Sequence, residues 1–201
     1  MSNILSELIS STSKLDKNYK QLINILCKII GDIIEKSVKY EQKLNKFEEN
    51  KDDKKDFLCS KEIPKITITD YVRRFIKNTK PEPSTLILGV IYFDRICCNG
   101  NFILSFLNVY KLLLISLILA IKFNEEYFET NEFYGKVGGL KIKSINKLEI
   151  KVLKIMNYNL YVKQDLYENY LSQFSAFLQK KIAYCKFGLV IEQSKIIILL
   201  F

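Results

Sequence analysis

Residues 120–128 read AIKFNEEYF, so Lys122 is followed within four positions by Glu125 and Glu126. An ammonium beside carboxylates can take part in acid–base chemistry or make an ion pair. The rest of the sequence narrows that choice. There is no histidine, so no Ser-His or Cys-His nucleophilic pair can be assembled and the commonest metal ligand is missing. No GxxxxGK[ST] or GxGxxG run is present to cradle a phosphate. The cysteines at 27, 59, 97, 98 and 185 are odd in number and form no CxxC pair, which predicts buried, reduced thiols with neither a disulfide framework nor a zinc site. The expectation is a protein that is not an enzyme and carries no cofactor or metal. A charge left at the edge of an apolar segment must be paired or reach water. On the residues alone, Lys122 is either a member of an ion pair or a lysine that snorkels to water from a buried helix.

The segment that ends at Lys122 explains why the charge is noteworthy. From Leu112 to Ile121 only Ser116 interrupts the apolar run. That is about half of the ~20 residues that span a bilayer, so the run predicts a buried helix, not a membrane anchor. With 201 residues, 48% of them hydrophobic, the chain can bury a full core as one domain plus an extension. The N-terminus MSNILSELISSTSKL has no basic region followed by an apolar block, and the expected location is cytoplasmic, nuclear or both. The net charge of +9 is spread over lysines in every segment, with arginine only at 73, 74 and 95. A dedicated phosphate-reading surface favours arginine's fork, so nucleic acid is not an expected partner.

The periodicity is helical throughout, and no stretch alternates with period two. Leu15, Tyr19, Leu22, Leu26, Ile29 and Ile33, widened by Ile23, Ile30 and Ile34, predict an amphipathic helix over about 14–46. The charge run at 46–56 reads as a solvated linker. Five helical segments follow: TITDYVRRFIKNT with Thr67 and Asp70 as a capping box, STLILGVIYFDRICC, LNVYKLLLISLILAIK with Asn108 as N-cap, TNEFYGKV closed by Gly138-Gly139, and KSINKLEIKVLKIMNYNL. The third, apolar all round, must be surrounded by its neighbours. In the fifth, Ile145, Leu148, Val152 and Ile155 form a core stripe, and Glu149, Leu153 and Met156 an adjoining stripe able to face a partner. The domains expected are 1–62 (amphipathic helix and linker), 63–162 (five-helix domain) and 163–201 (extension). The last stretch, QKKIAYCKFGLVIEQSKIIILLF, reads either as a helix packed on the domain or as the end of a truncated or misannotated chain, and no function is placed on it.

These five segments, in this order, resemble the cyclin box from about Ile63 to Val162, and most of all that of the P/U-type cyclins of phosphate signalling and plants. The resemblance implies an all-α domain of five helices around a buried third helix. It implies a regulatory subunit that binds and activates the catalytic subunit of a cyclin-dependent protein kinase as a heterodimer, in the manner of cell-cycle cyclins. It places Lys122 and Glu149 on the cyclin lysine and glutamate that together hydrogen-bond the kinase. Phe123, Leu153, Tyr158 and Leu160 fall on the apolar positions facing the kinase. In the free protein that rim is expected to be solvent-accessible, so that alanine at either charge changes folding by no more than roughly 0.5 kcal/mol.

The same resemblance marks Asp94 of YFDRI as a structural aspartate, held in mitotic-type cyclins by an arginine just before the first helix. Here Lys65 stands at that place and cannot make the same bidentate fork. The mitotic docking patch for substrate motifs would fall on Pro64, Lys65, Thr67, Ile68 and Tyr71, whose pattern is not reproduced. Two other readings stay open on the sequence: a cyclin-fold transcription adaptor binding protein or DNA, and a scaffold that binds its partner without activating it.

Overall fold

A computed structural model describes residues 27, 28, 30–32, 34–40, 43, 58–100 and 104–187, with side chains described as far as residue 176 apart from residue 175. The described residues between 27 and 43 are helical, and six helices follow: α1 Ile68–Thr79, α2 Pro83–Gly100, α3 Val109–Asn124, α4 Asn131–Gly138, α5 Ile142–Ile155 and α6 Gln164–Phe187. No strand occurs among the described residues, and the fold is all-α. The 46–56 linker lies outside them.

Local chemistry sets the helix ends. Thr67 caps α1 by accepting a hydrogen bond from the Asp70 amide at 3.0 Å, and Pro83 opens α2 where its missing N–H costs nothing. Thr130 caps α4, and Gly139 ends that helix at φ 73°, a left-handed geometry that glycine adopts without strain. Asn108 departs from the expected cap. Its side chain turns back to accept from the Ser105 amide at 2.9 Å and makes no cap hydrogen bond to α3. The loop before the helix competes for that oxygen and takes it.

From Val109 to Ile121 every residue of α3 but Lys111 is buried. α2 lies along one side of it and α5 along another, while Tyr110 near its start meets Tyr71 of α1 edge-on and Leu114 packs against Gly138 of α4. Tyr71 and Tyr110 bury their rings yet satisfy their hydroxyls, which donate to the carbonyls of Gly138 (3.2 Å) and Ile66 (2.6 Å). α2 passes close to α3 at Gly89, where a Cβ would stand 2.7 Å from a methyl carbon of Leu117.

Two segments outside the five helices join the same core. Cys27, Ile30, Ile34 and Val38 of the N-terminal helical residues are buried in it. The other residues of the expected N-terminal stripe lie outside the described residues. α6 packs on α2 through Tyr170 and Phe174, while the side chains of the 179–201 stretch lie outside the described residues. Among the described cysteines, burial holds only for Cys27. Cys59, before α1, is half-buried; on the last turns of α2 Cys97 is half-buried and Cys98 exposed. None of these four forms a disulfide.

Candidate partner-binding site

The site is built where the end of α3 meets the start of α4 and the middle of α5. α3 leaves the core at its last turn, and two contacts fasten that turn to the start of α2. Asn124 donates to the Thr85 hydroxyl at 2.8 Å, and Glu125 accepts from the Glu82 amide at 2.7 Å. Glu125 is thereby committed to the α1–α2 loop, while Glu126 is exposed. Neither is the partner of Lys122.

That partner is Glu149 of α5. Lys122 Nζ stands 2.6 Å from Glu149 Oε1, and the second oxygen accepts from Asn131 Nδ2 of α4 at 2.7 Å. Asn131 also donates to Asn146 Oδ1 at 2.8 Å, and its own Oδ1 is buried without a partner. Three helices thus converge on one carboxylate. The Lys122 and Glu149 side chains are only 22% and 18% exposed. This corrects the expectation of an open rim, because the α4 N-terminus and the α5 surface close over the pair. Lys122 has three protons and this bond uses one, so the ammonium retains donors that can point outward.

Of the apolar residues expected to face a partner, Phe123 (54% exposed) and Tyr158 (63% exposed) stand in solvent, and Leu153 and Leu160 are half-buried against the core. Met156 does not belong with them. It is 1% exposed and part of the core, because its amide still donates to the Val152 carbonyl at 2.9 Å and the helical register sets it in line with Ile145 and Val152. Beside Phe123 a cleft of about 360 Å³ opens between α2 and the segment after α5, lined by Leu88, Leu160, Tyr161 and Tyr167 among others. Tyr161 is exposed and continues the aromatic surface past Tyr158.

Asp94 lies on α2, away from the pair and 8% exposed. Tyr170 of α6 donates to its Oδ2 at 2.8 Å, and Lys65 is exposed. Burial pushes the carboxyl up to about 6, and the tyrosine hydrogen bond only partly offsets this. Sequence reasoning missed Tyr170, although Leu166, Tyr167, Tyr170, Leu171 and Phe174 form a helical stripe that could have revealed α6 as a docked helix. It also missed Asn131, for which the sequence carries no signal beyond its place after a capping threonine.

No group of three His, Cys, Asp or Glu that could hold a metal occurs among the described residues, and no described helix is long and apolar enough to cross a membrane. The arrangement can neutralise, orient and hydrogen-bond. It presents a polar pair tied to three helices, with the Phe123 ring exposed next to Lys122 in the chain.

Comparison with known proteins agrees with this geometry. The family model described as Cyclin matches residues 16–160, beginning within the N-terminal segment whose described residues enter the core. Cyclin-U2-1 of Arabidopsis thaliana is 30% identical over 166 residues, covering 82% of this chain and 73% of that protein. Cyclin-U2-2 of the same plant is 37% identical over 111 residues, 55% of this chain and 48% of its own length. The Nuc-1 negative regulatory protein preg of Neurospora crassa is 26% identical over 154 residues, 73% of this chain and 30% of its own length. The all-helical fold and the family match over most of the chain establish that it belongs to the cyclin family.

Proposed function

We propose that this chain is the regulatory subunit of a cyclin-dependent protein kinase, which it binds as a heterodimer and activates. Membership of the cyclin family supports a regulatory role. The observation that carries the finer reading is the Lys122–Glu149 pair, held by Asn131, and with it the apolar positions Phe123, Leu153, Tyr158 and Leu160. A fixed ion pair beside an apolar surface sets the register of a partner more than it adds raw affinity. Binding through such a surface activates by differential affinity: it favours the kinase conformation whose C-helix is swung inward, where the catalytic lysine and glutamate can pair. ATP and the phosphoryl transfer belong to the kinase.

The test is titration of separately purified cyclin-dependent kinase catalytic subunits from the source organism with this protein, reading binding and phosphorylation together. Stoichiometric binding with a rise in activity, both reduced by Lys122→Ala, is expected. Binding without activation supports the scaffold reading instead, and salt-sensitive binding to duplex DNA in the absence of any kinase supports the adaptor. The likeness to preg, named as a negative regulatory protein, favours a second reading in which the complex restrains its target.

A further inference from the structure

Three polar residues of α2, Tyr92, Arg95 and Asn99, are spaced by three and four and share one side of the helix. All three donate to backbone carbonyls of the 155–161 strap, which starts at the last residue of α5. The Tyr92 hydroxyl donates to Leu160 at 2.6 Å, and Asn99 donates to Ile155 at 3.3 Å. Arg95 donates to Asn159 and, through both terminal nitrogens, to Tyr161 at 3.4 and 3.3 Å. Arg95 also lies over the Tyr92 ring, 5.9 Å from its centre. It makes no carboxylate ion pair among the described residues, so its fork is spent on the strap.

The strap needs such holding. The Tyr158 amide donates back to Leu153 at 2.8 Å, closing α5, while Asn157 and Tyr158 both take left-handed geometry at φ 50° and 56°. Asparagine tolerates that region, but an aromatic residue enters it only where the surroundings impose it. Burial of its own ring does not impose it, since Tyr158 is 63% exposed. The helix cap behind it and the α2 stripe ahead of it do.

We infer that Tyr92, Arg95 and Asn99 are positioning residues, with Arg95 foremost, that fix the 155–161 strap so that Tyr158 and Leu160 are presented to the partner already in their binding geometry. The inference rests on the reading of Tyr158 and Leu160 as kinase-facing. Preorganisation acts by sparing the ordering cost at the moment of binding, so loss of Arg95 loosens the strap without removing any contact residue.

The experiment uses the full chain with Arg95→Ala, Arg95→Lys, Tyr158→Ala and the Arg95→Ala/Tyr158→Ala double variant. It measures amide hydrogen exchange in the free protein and titration of the kinase catalytic subunit. Arg95→Ala is expected to speed exchange at 157–162 while α3 stays protected, and to weaken kinase binding about five- to tenfold, the worth of ordering one or two side chains. Arg95→Lys, which keeps charge and stem but not the two-carbonyl fork, should fall between and carries the test if the alanine variant does not fold. The two substitutions should be less than additive, because Arg95 acts through Tyr158. Unchanged exchange, or full additivity while Lys122→Ala still weakens binding, overturns the positioning role and leaves the kinase reading standing. A wild-type chain that binds no kinase overturns both.

Discussion

Replacing Glu149 by alanine separates what the half-buried pair does for the fold from what it does for a partner. In the free protein the change strands the Lys122 ammonium, only 22% exposed, and removes one acceptor of Asn131 Nδ2. Leaving a largely buried donor or cation unpaired costs about 1–3 kcal/mol, and residual solvent access keeps Lys122 away from the top of that range. We expect a loss of about 2 kcal/mol, which for a protein of this size is roughly 4–8 °C in Tm. The double variant Lys122→Met/Glu149→Leu removes both charges together. Replacing both partners with apolar groups is close to neutral, so it should recover to within about 1 kcal/mol of wild type.

Kinase affinity should not recover with it. Each single variant and the double should weaken binding by about 2–5 kcal/mol, on the order of thirtyfold to several thousandfold, because the kinase's own polar groups lose their partners. Thermal and denaturant melts, alongside titration of the catalytic subunit, give both readouts. A Glu149→Ala protein melting within about 1 °C of wild type would mean that the pair is screened and its burial energetically empty. A double variant no more stable than the single would refute the stranded-charge argument. Recovery of affinity in the double would refute the docking role.

Other parts of the structure make their own predictions. Asp94 binds its proton more tightly folded than unfolded, its pKa being raised from 3.8 to about 6, so its ionisation works against the fold. Its contribution is most favourable below about pH 4, is lost as pH rises toward 6, and is flat above that; Asp94→Asn should therefore gain about 1–3 kcal/mol at pH 7, with the gain vanishing near pH 4, measured as the difference between paired melts. Gly89→Ala should lose about 1–3 kcal/mol, because the new methyl meets Leu117 at 2.7 Å and must part α2 from α3; a melt unchanged from wild type would show that the interface yields freely. Ending the chain after Lys163 removes the buried rings of Tyr170 and Phe174 and uncovers Asp94, and should lower stability by about 3 kcal/mol or more. An unaltered Tm in the truncated protein would make α6 an ornament of the fold.

How far each feature could be read from the sequence follows from how local its cause is. α3 was legible because a helix with no polar face has one fate, and the Thr67 and Gly139 ends because capping is decided within four residues. Met156 was placed on the wrong face by a misreading of the period: four residues after Val152, and with its amide still donating to that carbonyl, it falls on the core stripe and not on that of Glu149 and Leu153. Asn108 fits the cap signal, yet a neighbouring amide claims its side chain. The Lys122–Glu149 contact joins residues 27 apart, and no spacing rule links them; only the family likeness pointed to it. Asn131 and Tyr170 belong to neither category, since their roles come from how α4 meets α5 and how α6 crosses α2. The Asp94 site shows the consequence. Where a mitotic-type cyclin would set an arginine against this aspartate, this chain brings a neutral hydroxyl from α6. A cation would hold the carboxyl low, whereas a hydroxyl in an apolar setting leaves burial in control and the carboxyl high. The unit that satisfies Asp94 is therefore larger than the five-helix box, and α6 belongs to it.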